Sequence, residues 1–233
     1  MNGMLSGVGI GPGDPELLTL KALRIIKEAD VIAFPKSDVP EMTAFNIVNQ
    51  VVDLSSKQIM GLYMPMTRDI QLLKLNHEQA VHEITEELRK GKNIAFLTLG
   101  DPSIYSTYVY IHKRVLKEGL EAQLIPGVPS FCAAASRLNI SLCEGGEPLH
   151  IIPASYKGTS ECLDWQGTKV LMKSGKKLDK VKEMLKEKGM LECSSMVECC
   201  GMVNEKIYTD LNQVKEGISY FSLIIVKDRE IEQ

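Results

Sequence analysis

Four short loops rich in glycine, proline, serine and aspartate stand out in the first 130 residues of the sequence. They read GIGPGD at 9–14, FPKS at 34–37, GDPSIYS at 100–106 and PGVPS at 126–130. Glycine lets a backbone approach a ligand closely, and proline fixes the direction of the chain. The same residues also punctuate ordinary strand ends, so one such loop indicates no function by itself. Four of them together favour a small-molecule site.

The chemistry of these loops argues against a bound phosphate. The dinucleotide pattern G-x-G-x-x-G fails whether it is counted from Gly7 or from Gly9, and the first cation after the turn is Lys21, so a P-loop fails too. Asp14 and Asp101 place carboxylates where phosphate oxygens would need positive charge. A ligand with a ribose, an adenine and a positive centre but no phosphate fits better. S-adenosylmethionine is such a molecule.

Strand and helix patterns alternate in the half of the chain that carries these loops. Helical spacing occurs at about 18–29, 68–90 and 103–119, and short apolar runs predict strands at Leu5–Ile10, Asp30–Phe34, Gln58–Tyr63, Asn93–Leu99 and Glu121–Ile125. This alternation predicts an α/β domain whose five-stranded parallel sheet has helices on both faces. Because parallel strands end at one edge of a sheet, we expect the four loops to converge there.

The pattern changes beyond about residue 141. One clear helix is predicted at about 178–188, and strands are predicted at Leu149–Pro153, Lys169–Met172, Ser195–Cys199, Lys206–Thr209 and Tyr220–Lys227. The third and fourth of these strands are close enough in sequence to pair as a hairpin. We therefore expect an N-terminal α/β domain at 1–140 and a C-terminal mixed α+β domain at 141–233.

Composition and charge exclude several classes of protein. The chain has 233 residues, 44% of them hydrophobic, and a formal net charge of -3, which argues against non-specific binding of nucleic acid. The start of the chain lacks the cationic and apolar blocks of a signal peptide, and the longest late apolar run, Phe221–Val226, is too short to cross a membrane. The cysteines and histidines lack ligand spacing, so no structural zinc is expected. These features predict a cytoplasmic protein.

Three segments of the chain resemble the tetrapyrrole methylases in order and spacing. They are GVGIGPGDPELLTLKALRIIKEADVIAFPKS at 7–37, LTLGDPSIYSTYVYI at 97–111 and IPGVPSFCAAASRLNI at 125–140. The combination of G-x-G-P-G-D with a later G-D-P is highly specific for that superfamily. Within it, the AFPKS, TLGDPSIYSTY and PGVPSFCAAASRLN segments are most similar to the precorrin-2 (cobalt-factor II) C-20 methyltransferases of cobalamin biosynthesis.

The resemblance implies the tetrapyrrole methylase fold, a homodimer, and S-adenosylmethionine bound in a cleft between the two domains. It also implies a tetrapyrrole substrate and no protein-bound metal, since any cobalt would arrive inside the substrate. Carried over residue by residue, the donor contacts are Pro12, Leu99, Gly100, Asp101, Ile104, Pro129, Ser130, Met172 and Gly201. Those at Met172 and Gly201 rest on weaker motifs than the others.

The substrate implied by the resemblance carries many carboxylates, so cations are expected beside it. Lys36 and Arg68 are the candidates, although ordinary surface charge explains both equally well. Tyr105 and Tyr108 could lie against the flat macrocycle, but core packing explains them equally well. Relatives that methylate uroporphyrinogen carry an aspartate, proposed as a proton acceptor, where this chain has Pro35, so we assign no general base.

The reaction implied is attack by a carbon of the tetrapyrrole in line with the breaking bond between the donor's sulfur and its methyl group. The leaving thioether is neutral and needs no acid, so positioning and exclusion of water should supply most of the catalysis. Two alternatives keep the fold and change the acceptor, to another ring carbon or to a non-tetrapyrrole such as RNA. A third is a non-enzymatic, flavodoxin-like nucleotide-binding module, against which the missing phosphate fingerprints count.

Overall fold

The computed structural model describes residues 1–36, 43–65, 67, 69–154, 158–174, 177–214 and 218–228. The chain divides into two compact units, Met1–Pro129 and Ser130–Gln233. The boundary therefore falls earlier than the one at 140 that we placed from the sequence. The helix that begins at Ser130 groups with the second unit, because it packs on two strands of the second sheet.

The first unit contains the predicted parallel sheet. Its strands are β1 (Met4–Gly9), β2 (Val31–Lys36), β3 (Gln58–Tyr63), β4 (Ile94–Thr98) and β5 (Glu121–Ile125). They lie in the order β3-β2-β4-β1-β5, and every pairing is parallel. The predicted runs match these strands closely. For the inner strands β1, β2 and β4 the reason is that a strand buried on both faces is largely apolar.

Helices cover both faces of this sheet, as the alternation predicted. They are α1 (Leu20–Glu28), α2 (Thr43–Val48), α3 (Ile70–Arg89) and α4 (Tyr108–Lys117). Side chains alternate along β2, where Val31 and Ala33 share a buried cluster with α3 and α4. Ile32 and Phe34 point the other way, into a second cluster with α1 and α2. The period of two along each strand thus divides the apolar residues between two cores.

The second unit holds a mixed sheet, which confirms the predicted change of architecture. Its elements are α5 (Ser130–Leu138), β6 (Leu149–Pro153), α6 (Thr159–Cys162), β7 (Thr168–Met172), α7 (Leu178–Glu187), β8 (Ser194–Glu198), β9 (Lys206–Tyr208) and β10 (Ser222–Val226). The strands lie in the order β6-β7-β10-β8-β9, with β6 and β7 parallel and the other pairings antiparallel. The antiparallel pairing of β8 with β9 is the predicted hairpin.

The apolar stripe of α7 forms the core on one face of the second sheet. Leu178, Val181 and Leu185 of this helix are buried with Leu171 of β7 and Ile224 of β10. Because β10 runs antiparallel to both neighbours, β7 and β8 point the same way and end at the same edge as β6. Among the described residues, no helix is long and apolar enough to cross a membrane.

Candidate functional site

A crevice is expected where β1 and β4 end in the first sheet. These two strands are neighbours, but the chain leaves them towards opposite faces of the sheet. Ala22 and Ile26 of α1, the helix after β1, pack on one face. Ile111 and Val115 of α4, the helix after β4, pack on the other. Diverging connections of this kind mark the usual ligand position in open α/β sheets.

Main-chain contacts join the glycine loops at this edge. The N–H of Gly100 donates to the carbonyl oxygen of Gly11 at 2.8 Å, and the N–H of Gly11 donates to that of Gly100 at 3.3 Å. A Cβ added at Gly127 would lie 2.3 Å from the carbonyl oxygen of Gly100, and one added at Gly9 would lie 2.6 Å from the Gly127 nitrogen. These glycines are therefore required by close packing of the backbone, and the surface they form is largely main chain.

Asp101 ties two of these loops together. Its Oδ2 accepts the N–H of Gly127 at 3.0 Å, and its Oδ1 accepts the N–H and the hydroxyl of Ser103 at 2.8 and 2.5 Å. The carboxylate therefore connects the loop after β4 to the loop after β5. The sequence indicated Asp101 as a donor contact, but it did not single out Gly127, because the bond between them spans two loops.

The other residues predicted to contact the donor from the first unit lie in these same loops. Pro12 is buried, whereas Leu99, Ile104 and Pro129 are half-buried. The segments 9–14, 99–105 and 126–129 contain two carboxylates and no lysine or arginine. Such an edge, built of main-chain groups, apolar side chains and carboxylates, fits a ligand with a positive centre and without phosphate.

Two of the four residues predicted to bind substrate lie at or near this edge. Lys36 ends β2 with its side chain exposed, and its carbonyl oxygen accepts the N–H of Met64 at 2.8 Å. Tyr105 is 44% exposed and has a φ of 49°. A positive φ in a bulky residue is strained and is found most often at functional loops. Arg68, the third candidate, lies outside the described residues.

The structure corrects the prediction for Tyr108, which is a core residue. Its side chain is fully buried against Phe96, and its hydroxyl donates to the carbonyl oxygen of Gln123 at 2.9 Å. The ring fills the space beside Gly7, where an added Cβ would lie 2.1 Å from a ring carbon. Burial raises the pKa of Tyr108. The residue begins α4 facing inward, so it cannot lie against a ligand at the edge.

The corresponding edge of the second sheet contains Met172 and Gly201. Met172 ends β7 and is half-buried, and the next residue, Lys173, has a φ of 60°. Cys199 follows β8 with a φ of 51°, two residues before Gly201 with a φ of 75°. A non-glycine residue in this region costs about 1–3 kcal/mol, so the surrounding contacts must hold it there. Two such residues follow two strands that end at the same edge.

A pair of charged side chains holds the turn at Gly201. Oε2 of Glu205 accepts the N–H of Gly201 at 2.6 Å, and its Oε1 accepts Nε of Arg137 at 2.7 Å. Burial acts to raise the pKa of Glu205, but the hydrogen bonds from Arg137 and Gly201 outweigh it and lower this pKa. Sequence reasoning missed both side chains, because 68 residues separate them. Ser130, the remaining predicted donor contact, begins the helix α5 that carries Arg137.

The side chains of the described residues form no cluster suited to a metal ion. Across the described ranges, no group of three or more His, Cys, Asp or Glu residues lies close enough to hold one.

Comparison with known proteins agrees with this architecture. The chain is 38% identical over 169 residues to the probable cobalt-precorrin-2 C(20)-methyltransferase of Methanocaldococcus jannaschii, covering 72% of this chain and 71% of that protein. It is 29% identical over 232 residues to the cobalt-precorrin-2 C(20)-methyltransferase of Salmonella typhimurium, covering 97% of each.

A solved structure shares the fold over nearly the whole chain. It is the uroporphyrin-III C-methyl transferase from Thermus thermophilus complexed with S-adenosyl homocysteine, with a TM-score of 0.72, 20% identity, and coverage of 97% of this chain and 98% of that one. The family model described as tetrapyrrole (corrin/porphyrin) methylases matches residues 4–215. The chain therefore belongs to the tetrapyrrole methylase family.

Proposed function

We propose that the protein is an S-adenosylmethionine-dependent C-methyltransferase that methylates C-20 of precorrin-2 or of cobalt-factor II in cobalamin biosynthesis. One observation carries the proposal: the Salmonella typhimurium protein named as a cobalt-precorrin-2 C(20)-methyltransferase aligns over 97% of both chains. A match of that extent includes both sheets and every loop described above. It supports the ring position as well as the family.

The proposal assigns the donor to the two strand-end edges. In the first unit the loops of Pro12, Leu99 to Asp101, Ile104 and Pro129 would bind it, and in the second unit Ser130, Met172 and Gly201 would. S-adenosylmethionine supplies a methyl group on a positively charged sulfur, which leaves as a neutral thioether. The backbone of Gly100 can approach such a ligand closely because no side chain intervenes.

Asp101 has an indirect part in this arrangement. Its carboxylate oxygens accept hydrogen bonds from Gly127 and Ser103, so its main effect is to hold the loops in place. The apolar side chains of Leu99 and Ile104 are half-buried and would exclude water from the bound donor. Preorganised loops of this kind contribute to catalysis through orientation, which is the contribution that a methyl transfer needs most.

The acceptor would be held by groups on the first sheet. The exposed ammonium of Lys36, at the end of β2, suits a carboxylate of the tetrapyrrole, and the exposed ring of Tyr105 suits its flat face. Arg68 stays a candidate on sequence grounds. Pro35 stands where some relatives are thought to carry a proton acceptor, so the proposal assigns no base to this chain.

The family resemblance also leads us to propose a homodimer in the cytoplasm. Sedimentation velocity of the purified protein at micromolar concentration tests the first part. A single species at twice the mass of 25.9 kDa is expected, and a concentration-independent monomer would contradict it.

The decisive experiment supplies the protein with S-adenosylmethionine and either metal-free precorrin-2 or its cobalt complex. We expect mass spectrometry to show one added methyl group, and carbon NMR with a labelled donor to place it at C-20. Faster reaction of one form would identify the physiological substrate. Methylation at a different carbon would replace the C-20 assignment, and donor binding without methylation would point to another acceptor, for which RNA is the next to test.

A further inference from the structure

We propose that Arg137 and Glu205 are positioning residues that hold the Cys199–Gly201 turn in the conformation that binds the methyl donor. The inference rests on the proposed function, because it takes Gly201 as a donor contact. It concerns two side chains to which the sequence analysis assigned no role, although Arg137 lies within the segment 125–140 that resembles the family. Their part would be indirect, since neither needs to touch the donor.

The hydrogen bonds run from helix α5 to the turn through one carboxylate. Nε of Arg137 donates to Oε1 of Glu205 at 2.7 Å, and Oε2 of Glu205 accepts the N–H of Gly201 at 2.6 Å. The thiol of Cys200 also donates to this carboxylate. Glu205 therefore fixes two consecutive residues of the turn while it is itself oriented by Arg137.

The turn needs such support because its backbone is strained. Cys199 has a φ of 51°, a conformation that glycine adopts freely and cysteine does not. Its N–H donates to the carbonyl oxygen of Phe221 at 2.8 Å, and its own carbonyl accepts the N–H of Met202 at 2.9 Å. The carboxylate of Glu198, just before Cys199, binds the N–H of Ser219 at 2.6 Å. Strain persists only where surrounding contacts over-determine it, and it is concentrated at functional loops.

The geometry differs from that of an ordinary surface ion pair. Arg89 and Glu118 form such a pair at 2.6 Å, with side chains 53% and 39% exposed. Glu205 is only 11% exposed although Arg137 is 58% exposed, and its second oxygen is committed to a main-chain N–H. Surface pairs contribute little to stability. A nearly buried carboxylate that binds the backbone of a strained turn controls the shape of that turn.

Isothermal titration calorimetry with S-adenosylmethionine on the 233-residue protein tests the proposal. We expect Arg137→Ala and Glu205→Ala to raise the dissociation constant about tenfold, as the loss of one hydrogen bond to a charged group predicts. Arg137→Lys keeps a donor and a charge, and should recover most of the affinity. Arg89→Ala, which breaks the matched surface pair, should bind as the wild type does.

Kinetics separate positioning from a general loss of structure. At saturating donor the Arg137→Ala variant should keep the wild-type kcat within about twofold while its KM for the donor rises about tenfold, the pattern of lost binding. Urea unfolding identifies any variant that fails to fold. If Glu205→Ala is unfolded, Glu205→Gln takes its place, because its side-chain oxygen still accepts the N–H of Gly201.

Three results would overturn either this proposal or the proposed function. If the wild type binds S-adenosylmethionine and the folded Arg137→Ala variant binds it equally well, the pair has no positioning role and the proposed function stands. If the wild type binds no S-adenosylmethionine under any condition, the proposed function itself fails. An equal loss in Arg137→Ala and Arg89→Ala would also contradict the proposal, since it would show an effect of charge alone.

Discussion

Replacement of Asp101 by alanine should weaken donor binding by loosening two loops of the first sheet. The substitution removes the bond from Gly127 N–H at 3.0 Å and the two bonds from Ser103 at 2.8 and 2.5 Å. The bonds with Ser103 lie within one turn, so water can replace them readily. The bond with Gly127 joins two loops that are 26 residues apart in sequence, and its loss frees one loop from the other.

The size of the effect follows from that one long-range bond. A hydrogen bond to a charged group contributes about 1.5–3 kcal/mol, and the partial exposure of Asp101 to water favours the lower end of that range. We therefore expect the free energy of unfolding to fall by about 1.5 kcal/mol. If the donor must restore the loop geometry on binding, its dissociation constant rises by about tenfold, since 1.4 kcal/mol corresponds to a factor of ten.

Calorimetry with S-adenosylmethionine and urea unfolding of the same samples measure both effects. Asp53→Ala is the matched control, because Asp53 accepts the N–H of Ser55 at 2.9 Å in a similar local turn away from the strand-end loops. Its affinity for the donor should equal that of the wild type. Wild-type affinity in Asp101→Ala, or the same loss in both variants, would refute the assignment of Asp101 as the link between the loops.

Three further changes test other parts of the structure. Gly127→Ala places a Cβ 2.3 Å from a carbonyl oxygen, so it should abolish donor binding in calorimetry and lower the free energy of unfolding by about 2 kcal/mol. Gly146→Ala is the control: its Cβ would meet open space, so donor binding and stability should both stay unchanged. Tyr108→Phe should cost about 1 kcal/mol in urea unfolding and leave kcat unchanged; a stable but inactive variant would restore a role in the site. Asp228→Ala strands the fully buried Lys169 and should cost about 2 kcal/mol, discounted for the partial exposure of the carboxylate. Burial acts to raise the pKa of Asp228, but hydrogen bonds led by that from Lys169 lower it. The stability that the Asp228–Lys169 pair contributes is therefore present above about pH 4 and is lost as the pH falls through the folded pKa. Urea midpoints that fall as steeply in Asp228→Ala as in the wild type over this acidic range would contradict this prediction.

The parallel sheet could be predicted from the sequence because its three inner strands, β2, β4 and β1, are largely buried. The run in β4 is buried at every position and apolar at all but the last, Thr98, and the helices between the strands carry a clear apolar stripe. The short helix α2, by contrast, spans only Thr43–Val48 and is too short to show periodicity. The helix α5 was missed for a different reason. Its three consecutive alanines at 133–135 favour a helix, but they follow the PGVPS loop directly and show no alternation of apolar and polar residues.

The candidate site could be predicted only in part. Motifs marked the loops, since glycine and proline at strand ends leave a local pattern. The motifs could not show that Asp101 bonds to Gly127, nor that Glu205 reaches Gly201 from one side and Arg137 from the other. These contacts depend on how the loops pack in three dimensions, and a single sequence does not show which side chains meet there. Tyr108 was misassigned because it neighbours a loop motif, while its inward orientation depends on the helix phase.

The packing of Tyr108 against Gly7 has a consequence for how the family can vary. The ring occupies the volume that any side chain at position 7 would need, since an added Cβ would lie 2.1 Å from it. Position 7 lies in β1 between β4 and β5, two residues before the strand end that starts the glycine loop, and it cannot shift without moving that loop. Relatives with alanine or a larger residue there should therefore carry a smaller residue in place of the tyrosine, so that the two positions change together during evolution.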